Sequence, residues 1–141
     1  MKIAKLMAAL AMTVVPMLAS AQLRSSDKIV TEVPFEFVVG TKIVPAGECI
    51  LKAATMDMKT VAIRTGDAKV SLFSTISPVE AGKAASNYAL VFHKYGDRTF
   101  LWGLKVEGTR TMYRLPESKA EAELQAHNAP FTEKILLASL K

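Results

Sequence analysis

Two apolar runs on either side of a turn sequence constrain this chain more than any other feature. The runs cover residues 88–93 and 99–106, and the sequence YGDR lies between them at 95–98. Its Gly96 and Asp97 favour a tight reversal between antiparallel strands. Alternation predicts one set of core-facing side chains: Tyr88, Leu90, Phe92, Phe100, Trp102, Leu104 and Val106. Because four of the chain's ten aromatic residues belong to this set, we expect a β-hairpin with the core built around it.

The first 21 residues have the order of a secretory signal peptide. Two lysines precede an apolar run over residues 6–18, and Ala19-Ser20-Ala21 has the small-x-small form that a signal peptidase cleaves. A transmembrane anchor is the alternative, but it needs about twenty apolar residues. This run is shorter and contains Pro16. We therefore expect cleavage after Ala21 and an exported chain, periplasmic or extracellular, without a transmembrane anchor.

Residues 22–141 have the length of one domain with one hydrophobic core. This part of the chain carries sixteen basic and thirteen acidic residues, which is an excess of only three positive charges. The basic residues are scattered and form no run that would follow a phosphate backbone. The composition therefore predicts no nucleic-acid partner.

Short strand-like runs separated by turn sequences continue along this domain. They cover residues 29–40, 49–54, 61–64, 69–76 and 111–115. Pro34 cannot donate a ladder hydrogen bond, so the first run is expected at a sheet edge or a bulge. About seven short strands with closely spaced turns predict a mainly β fold, a single antiparallel β-sandwich or small barrel.

Near the C-terminus the pattern changes to that of a short helix. Ser118 is a candidate N-cap and Glu121 follows three residues later, which is the spacing of a capping box. A surface helix is predicted over residues 118–126, with Ala120 and Leu124 on its narrow apolar stripe. We expect the apolar tail at 131–138 to be a closing strand. The alternative is an α+β fold in which this tail is helical and packs across a sheet.

Four motifs in a fixed order resemble those of a family of small exported bacterial proteins of unknown function. They are VPFEFVVG at 33–40, VPAGE at 44–48, FHKYGD at 92–97 and LPESKAE at 115–121. The chain departs from that pattern at Val44, where the family has Leu, and at Cys49, where it has Tyr. The resemblance implies export and a shared β fold, and it carries over no activity, ligand or catalytic residue.

Cys49 is the only cysteine, so no disulfide can form within the chain. A buried structural thiol is the simpler interpretation, and a reactive free thiol or an intermolecular disulfide is the alternative.

A hydrolase-like enzyme would need Cys49, His93 and Asp97 as nucleophile, base and orienting carboxylate. Nothing in the sequence brings these three together, so no catalytic site is predicted. His93 and His127 have no other ligand at metal-binding spacing, so no metal or cofactor is expected.

The tip of the hairpin offers the best candidate interaction surface, formed by Lys94, Tyr95 and Arg98. Tyr95 is expected there as an exposed aromatic, although turn-tip aromatics often pack on the adjacent strand. Lys105, Arg110 and Arg114 would extend the surface into a basic face toward acidic envelope polymers or lipid headgroups. Ordinary outward-facing strand positions explain these three residues more simply.

Export, one compact domain and the lack of clustered polar chemistry predict a non-enzymatic binding module for an envelope macromolecule. The alternative is a carrier that holds a small apolar ligand inside a barrel. A hydrolase-like enzyme that uses Cys49 is the least favoured class. A cavity between the hairpin and the strand at 33–39 would favour the carrier.

Overall fold

The computed structural model describes residues 28–141, and the predicted signal peptide lies outside these residues. This range contains eleven strands and one helix. In chain order they are β1 (Lys28–Val33), β2 (Phe37–Val39), β3 (Lys42–Val44), β4 (Gly47–Ala53), β5 (Thr60–Thr65), β6 (Ser71–Thr75), β7 (Ser77–Glu80), β8 (Tyr88–Tyr95), β9 (Arg98–Lys105), β10 (Thr111–Arg114), α1 (Lys119–Ala126) and β11 (Thr132–Leu140). Within residues 28–141, α1 is much too short to cross a membrane.

The strands form one curled sheet that makes a half-barrel, so the predicted mainly β class is confirmed. Neighbouring strands follow the order β3-β2-β9-β8-β11-β1-β4-β5-β6, and β10 joins β9 to β7. The sheet is mixed because β2 runs parallel to β9, so the expectation of a wholly antiparallel fold is wrong there. The described residues form more strands than the seven or so expected. One reason is that the run at 29–40 is interrupted after Val33, where Pro34 follows.

The predicted hairpin is confirmed as β8 and β9, with Tyr95 paired to Arg98 across a two-residue turn. Gly96 takes a φ of 61° in this turn, a conformation that glycine adopts without a steric penalty. The register shifts at Val91 and Phe92, which pair with Gly103 and Leu101. Trp102 is therefore the extra residue of a β-bulge.

This bulge corrects the predicted core-facing set. Leu101 and Leu104 belong to the core, whereas Phe100 and Trp102 point to the opposite face of the hairpin. Phe100 is still buried there, but Trp102 is only half-buried. The prediction that both rings anchor the main core is wrong, because one extra residue reverses the alternation of side chains along a strand.

Aromatic side chains fill the space between the hairpin and the 33–39 segment. The ring of Phe92 meets those of Phe35 and Phe37 edge to face, with centroid distances of 5.1 and 5.2 Å. Phe37 and Phe92 are almost completely buried. Burial of each such ring contributes about 1.5–3 kcal/mol, so this packing is a main source of stability.

The C-terminal tail is a strand, as predicted, and it pairs with the first strand of the described part of the chain. β11 pairs along seven residues with β8 and continues beside β1. Lys28 and Lys141 exchange two backbone hydrogen bonds, of 3.1 and 2.8 Å. The alternative α+β fold with a helical tail is therefore wrong.

Candidate functional site

The outer face of the hairpin, opposite the main core, carries a group of polar and aromatic side chains that we call the histidine cluster. The bulge in β9 directs side chains of the hairpin to this face, and α1 and the start of β11 cover them. The cluster consists of His93, Tyr95, Phe100, Trp102, Arg114, Glu121, Gln125, Phe131 and Glu133.

His93 lies between two aromatic rings at the centre of the cluster. Its imidazole stacks on Trp102 at 4.7 Å and on Phe131 at 4.5 Å, with interplanar angles of 21° and 26°. Only 5% of the residue is exposed. Its Nδ1 lies 3.5 Å from Oε1 of Glu121, and its Nε2 lies 3.7 Å from Oε2 of Glu133. Neither nitrogen makes a well-formed hydrogen bond within the described residues.

Burial is the main reason why the pKa of His93 lies below its ordinary value. Glu133 opposes this change, and the nearby Arg114 acts in the same direction as burial. The imidazole is therefore neutral at neutral pH. Burial also raises the pKa of Glu121, and the hydrogen bond from Tyr95 opposes that change. Burial thus shifts the pKa of each member of the closest His–Glu pair in the direction that disfavours its charged form.

The N-terminus of α1 positions Glu121. Ser118 is the N-cap, as predicted, and its Oγ accepts a hydrogen bond of 3.1 Å from the backbone N–H of Glu121. The carboxylate of Glu121 does not complete a reciprocal capping box, because Oε1 instead accepts a bond of 3.2 Å from the Tyr95 hydroxyl. Gln125, one turn later, donates to the same hydroxyl at 3.1 Å. The helix is therefore attached to the hairpin by its polar face, and its predicted apolar stripe is only half-buried.

The structure places the three residues of the predicted interaction surface in different environments. Tyr95 is only 4% exposed, so the expected exposed position for it is wrong. It is buried because α1 crosses the hairpin tip and Phe100 contacts its ring at 5.7 Å. Lys94 is half-buried, and Arg98 is exposed with its guanidinium 5.4 Å from the Phe100 ring.

An open groove of about 720 Å³ lies beside α1, and we call it the helix groove. Three separate segments line it: residues 36–43, the hairpin turn at 97–99, and residues 117–123. Arg98 and Lys119 lie among four acidic residues, and Ile43, which is 61% exposed, adds an apolar side chain. The acidic residues are Glu36, Asp97, Glu117 and Glu123.

The residues of the hypothetical catalytic triad do not come together. Cys49 is buried in the main core on β4, and burial raises the pKa of its thiol to about 12. β4 is three strand positions away from β8, which carries His93, or about 14 Å at the usual spacing. Asp97 lines the helix groove. The structure thus brings His93 near Glu121 and Glu133 instead.

Metal ligands are also not assembled in the described part of the chain. Residues 28–141 contain no group of three or more His, Cys, Asp or Glu side chains arranged to hold a metal ion. His127 is exposed at the C-cap of α1. The two carboxylates near the imidazole of His93 therefore do not form a coordination site with it.

Sequence reasoning missed Glu121, Phe131 and Trp102 as neighbours of His93. Glu121 was interpreted only as a capping residue, and Phe131 only as part of the tail. The sequence did contain one signal. Bulky residues occur at both the odd and the even positions of β8 and β9, which is typical of strands covered on both faces. Comparisons with protein-family models, with curated proteins and with solved structures found no match.

Proposed function

We propose that the protein is an exported, non-enzymatic β-domain that binds another macromolecule of the cell envelope through the helix groove. The observation that carries this proposal is the groove itself, an open cleft of about 720 Å³ built from three segments distant in the sequence. Arg98, from the predicted interaction surface, lies in the groove.

The chemistry of the groove favours a polypeptide partner. Four carboxylates against two basic side chains disfavour a nucleic acid or another polyanion. The exposed Ile43 provides an apolar contact. β3 is also an edge strand, and the two-residue turn between Val39 and Lys42 leaves the backbone N–H and C=O of Ile43 directed away from β2. A partner segment would gain main-chain hydrogen bonds there, as in other cases of strand addition.

We also propose that the curled sheet is a small barrel left open between β3 and β6, rather than a two-sheet sandwich. The unbroken path of paired strands from β3 to β6 supports this view. A cleft of about 450 Å³ separates the β2–β3 turn from β6. The two ends of the sheet thus lie on opposite sides of one gap.

The two alternative functions have less support from the geometry. A carrier needs interior space, and the rings of Phe35, Phe37 and Phe92 fill the place where we expected a cavity. An enzyme that uses Cys49 needs a base near the thiol, and His93 lies three strand positions away. These arrangements favour the binding module over both alternatives.

Site-specific photocrosslinking in the cells that make the protein tests the proposal. A photoreactive benzoyl-phenylalanine at position 43 should give a discrete adduct, because this position lines the groove. The same residue at position 56 is the control, since Met56 is 93% exposed and lies outside the groove. Arg98→Glu combined with the probe at position 43 should reduce the adduct.

Equal adducts from positions 43 and 56, or none from position 43, would count against the helix groove as the contact surface. Export is tested separately by N-terminal sequencing of the secreted or periplasmic protein. We expect the mature chain to begin at Gln22.

A further inference from the structure

The outer face of β11 exposes two large apolar side chains next to each other. Ile135 is 48% exposed and Leu137 is 66% exposed, and they point to the same face of the strand. Their partners on β8 are Val91 and Ala89, both of which are buried. Ile135 and Leu137 therefore form an apolar strip that is exposed to solvent, beside residues of β8 that are buried.

This strip forms one wall of a concave groove of about 260 Å³, which we call the β11 groove. The opposite wall is the loop over residues 81–87, in which three of the seven residues are alanine. Ala89 on β8 also lines the groove. The apolar side chains of the groove lie on its walls and floor, and its lining also includes the polar residues Ser86, Asn87, Thr109 and Thr111.

The charges at the β11 groove have one sign. Within residues 28–141, Lys83 and Lys105 are the charged residues that line it, and no carboxylate does. Glu80 and Glu107 belong to the neighbouring segments but do not line the groove. A groove with an apolar strip on one wall and two ammonium groups complements a ligand with an alkyl chain and a negative head group.

We propose that the β11 groove binds a single-chain anionic amphiphile of the fatty carboxylate type. The chain lies against Ala89, Ile135 and Leu137, and the carboxylate lies near Lys83 and Lys105. The concave shape favours one chain over the flat surface of a bilayer. This site is separate from the helix groove, so it stands or falls independently of the proposed binding function.

Calorimetric titration of the purified protein with dodecanoate below its critical micelle concentration tests this proposal. We expect saturable binding of about one molecule per chain. Each methylene buried in the groove should tighten binding about fourfold, so octanoate should bind at least about tenfold more weakly. Dodecyltrimethylammonium, with the same chain and a positive head group, should bind more weakly than dodecanoate.

Three variants locate the site. Leu137→Asp should weaken dodecanoate binding at least about tenfold, since it places a carboxylate in the path of the chain. Lys83→Glu combined with Lys105→Glu should weaken dodecanoate and strengthen the cationic analogue. Phe73→Asp is the matched control, because Phe73 is 71% exposed on β6 and outside this groove, and it should bind like the unmodified protein.

The proposal is overturned if dodecanoate shows no saturable binding, or if Leu137→Asp and Phe73→Asp bind it equally well. It is also overturned if the two amphiphiles of opposite charge bind alike. Flotation with phosphatidylglycerol vesicles gives the last test. Vesicle binding that Leu137→Asp abolishes, without binding of free dodecanoate, would assign the strip to a membrane surface instead.

Discussion

The Nδ1 atom of His93 on β8 lies 3.5 Å from Oε1 of Glu121 on α1, and both residues are buried. At this distance the contact has the form of an ion pair, but burial lowers the pKa of His93 and raises that of Glu121. The charged forms are thus disfavoured on both sides. The helix is held to the hairpin by the hydrogen bonds of the Tyr95 hydroxyl with Glu121 and Gln125 rather than by a strong salt bridge.

The neutral state of His93 predicts a loss of stability in acid. Its folded-state pKa lies below the ordinary value of 6.5, so between these two values the unfolded chain binds more protons. Stability contributed by His93 is therefore present above pH 6.5 and is lost as the pH falls toward the folded-state pKa. The slope from one proton is at most about 1.4 kcal/mol per pH unit. Urea unfolding between pH 5 and pH 8 measures it.

His93→Gln should flatten this pH dependence, because glutamine does not titrate. It should also lower stability at pH 8, where the imidazole stacks between Trp102 and Phe131. His127→Gln is the control, since His127 is exposed at the end of α1, and its pH profile should match that of the unmodified protein. Equal slopes for the His93→Gln variant and the unmodified protein would refute the prediction.

Glu121 predicts the opposite pH dependence. Burial raises its pKa above 4.5, so between 4.5 and the folded-state value the folded protein binds more protons. The contribution of Glu121 to folding stability therefore falls as the pH rises through this window. Glu121→Gln keeps a side-chain oxygen for the Tyr95 hydroxyl and removes the ionisation. The variant should gain stability relative to the unmodified protein between pH 4 and pH 8, and a constant difference would contradict the assignment.

Tyr95→Phe should destabilise the protein by about 1–3 kcal/mol. The change removes the hydroxyl that donates to Glu121 and accepts from Gln125, and it leaves the buried carboxylate without this donor. Tyr113→Phe is a matched control, since Tyr113 is half-buried on β10. Chemical denaturation compares the two variants. A loss no greater for Tyr95→Phe than for Tyr113→Phe would show that the hydroxyl does not hold α1 in place.

The features that could be predicted from the sequence depend on residues close together in the chain. The hairpin follows from Gly96 and its flanking apolar runs, and the start of α1 follows from Ser118 three residues before Glu121. The closing strand at β11 was predicted only from the apolar character of residues 131–138, and the sequence left a helical tail as the alternative. Such signals are local, so they are visible without knowledge of the fold.

The features that were missed depend on distant residues or on a single extra residue. One bulge at Trp102 reversed the faces of the part of β9 that precedes it, and no turn or proline marks the bulge in the sequence. Burial of Tyr95 depends on Glu121, which is 26 residues away. The histidine cluster depends on both effects, since the bulge places Trp102 on the outer face of the hairpin and α1 brings Glu121 to that face.

Cys49 should be inert toward thiol reagents in the folded protein. Burial raises the pKa of its thiol to about 12, so at pH 8 the thiolate is on the order of a thousandfold rarer than for an ordinary cysteine. Its position in the core also blocks access by a reagent. Labelling with a chromogenic disulfide should therefore be slow in buffer and fast in urea.

Met56→Cys in a Cys49→Ala background is the control. Because position 56 is 93% exposed, its thiol should react rapidly in both conditions. Similar rates for the two thiols in buffer would mean that Cys49 is accessible, and the reactive-thiol interpretation would then return.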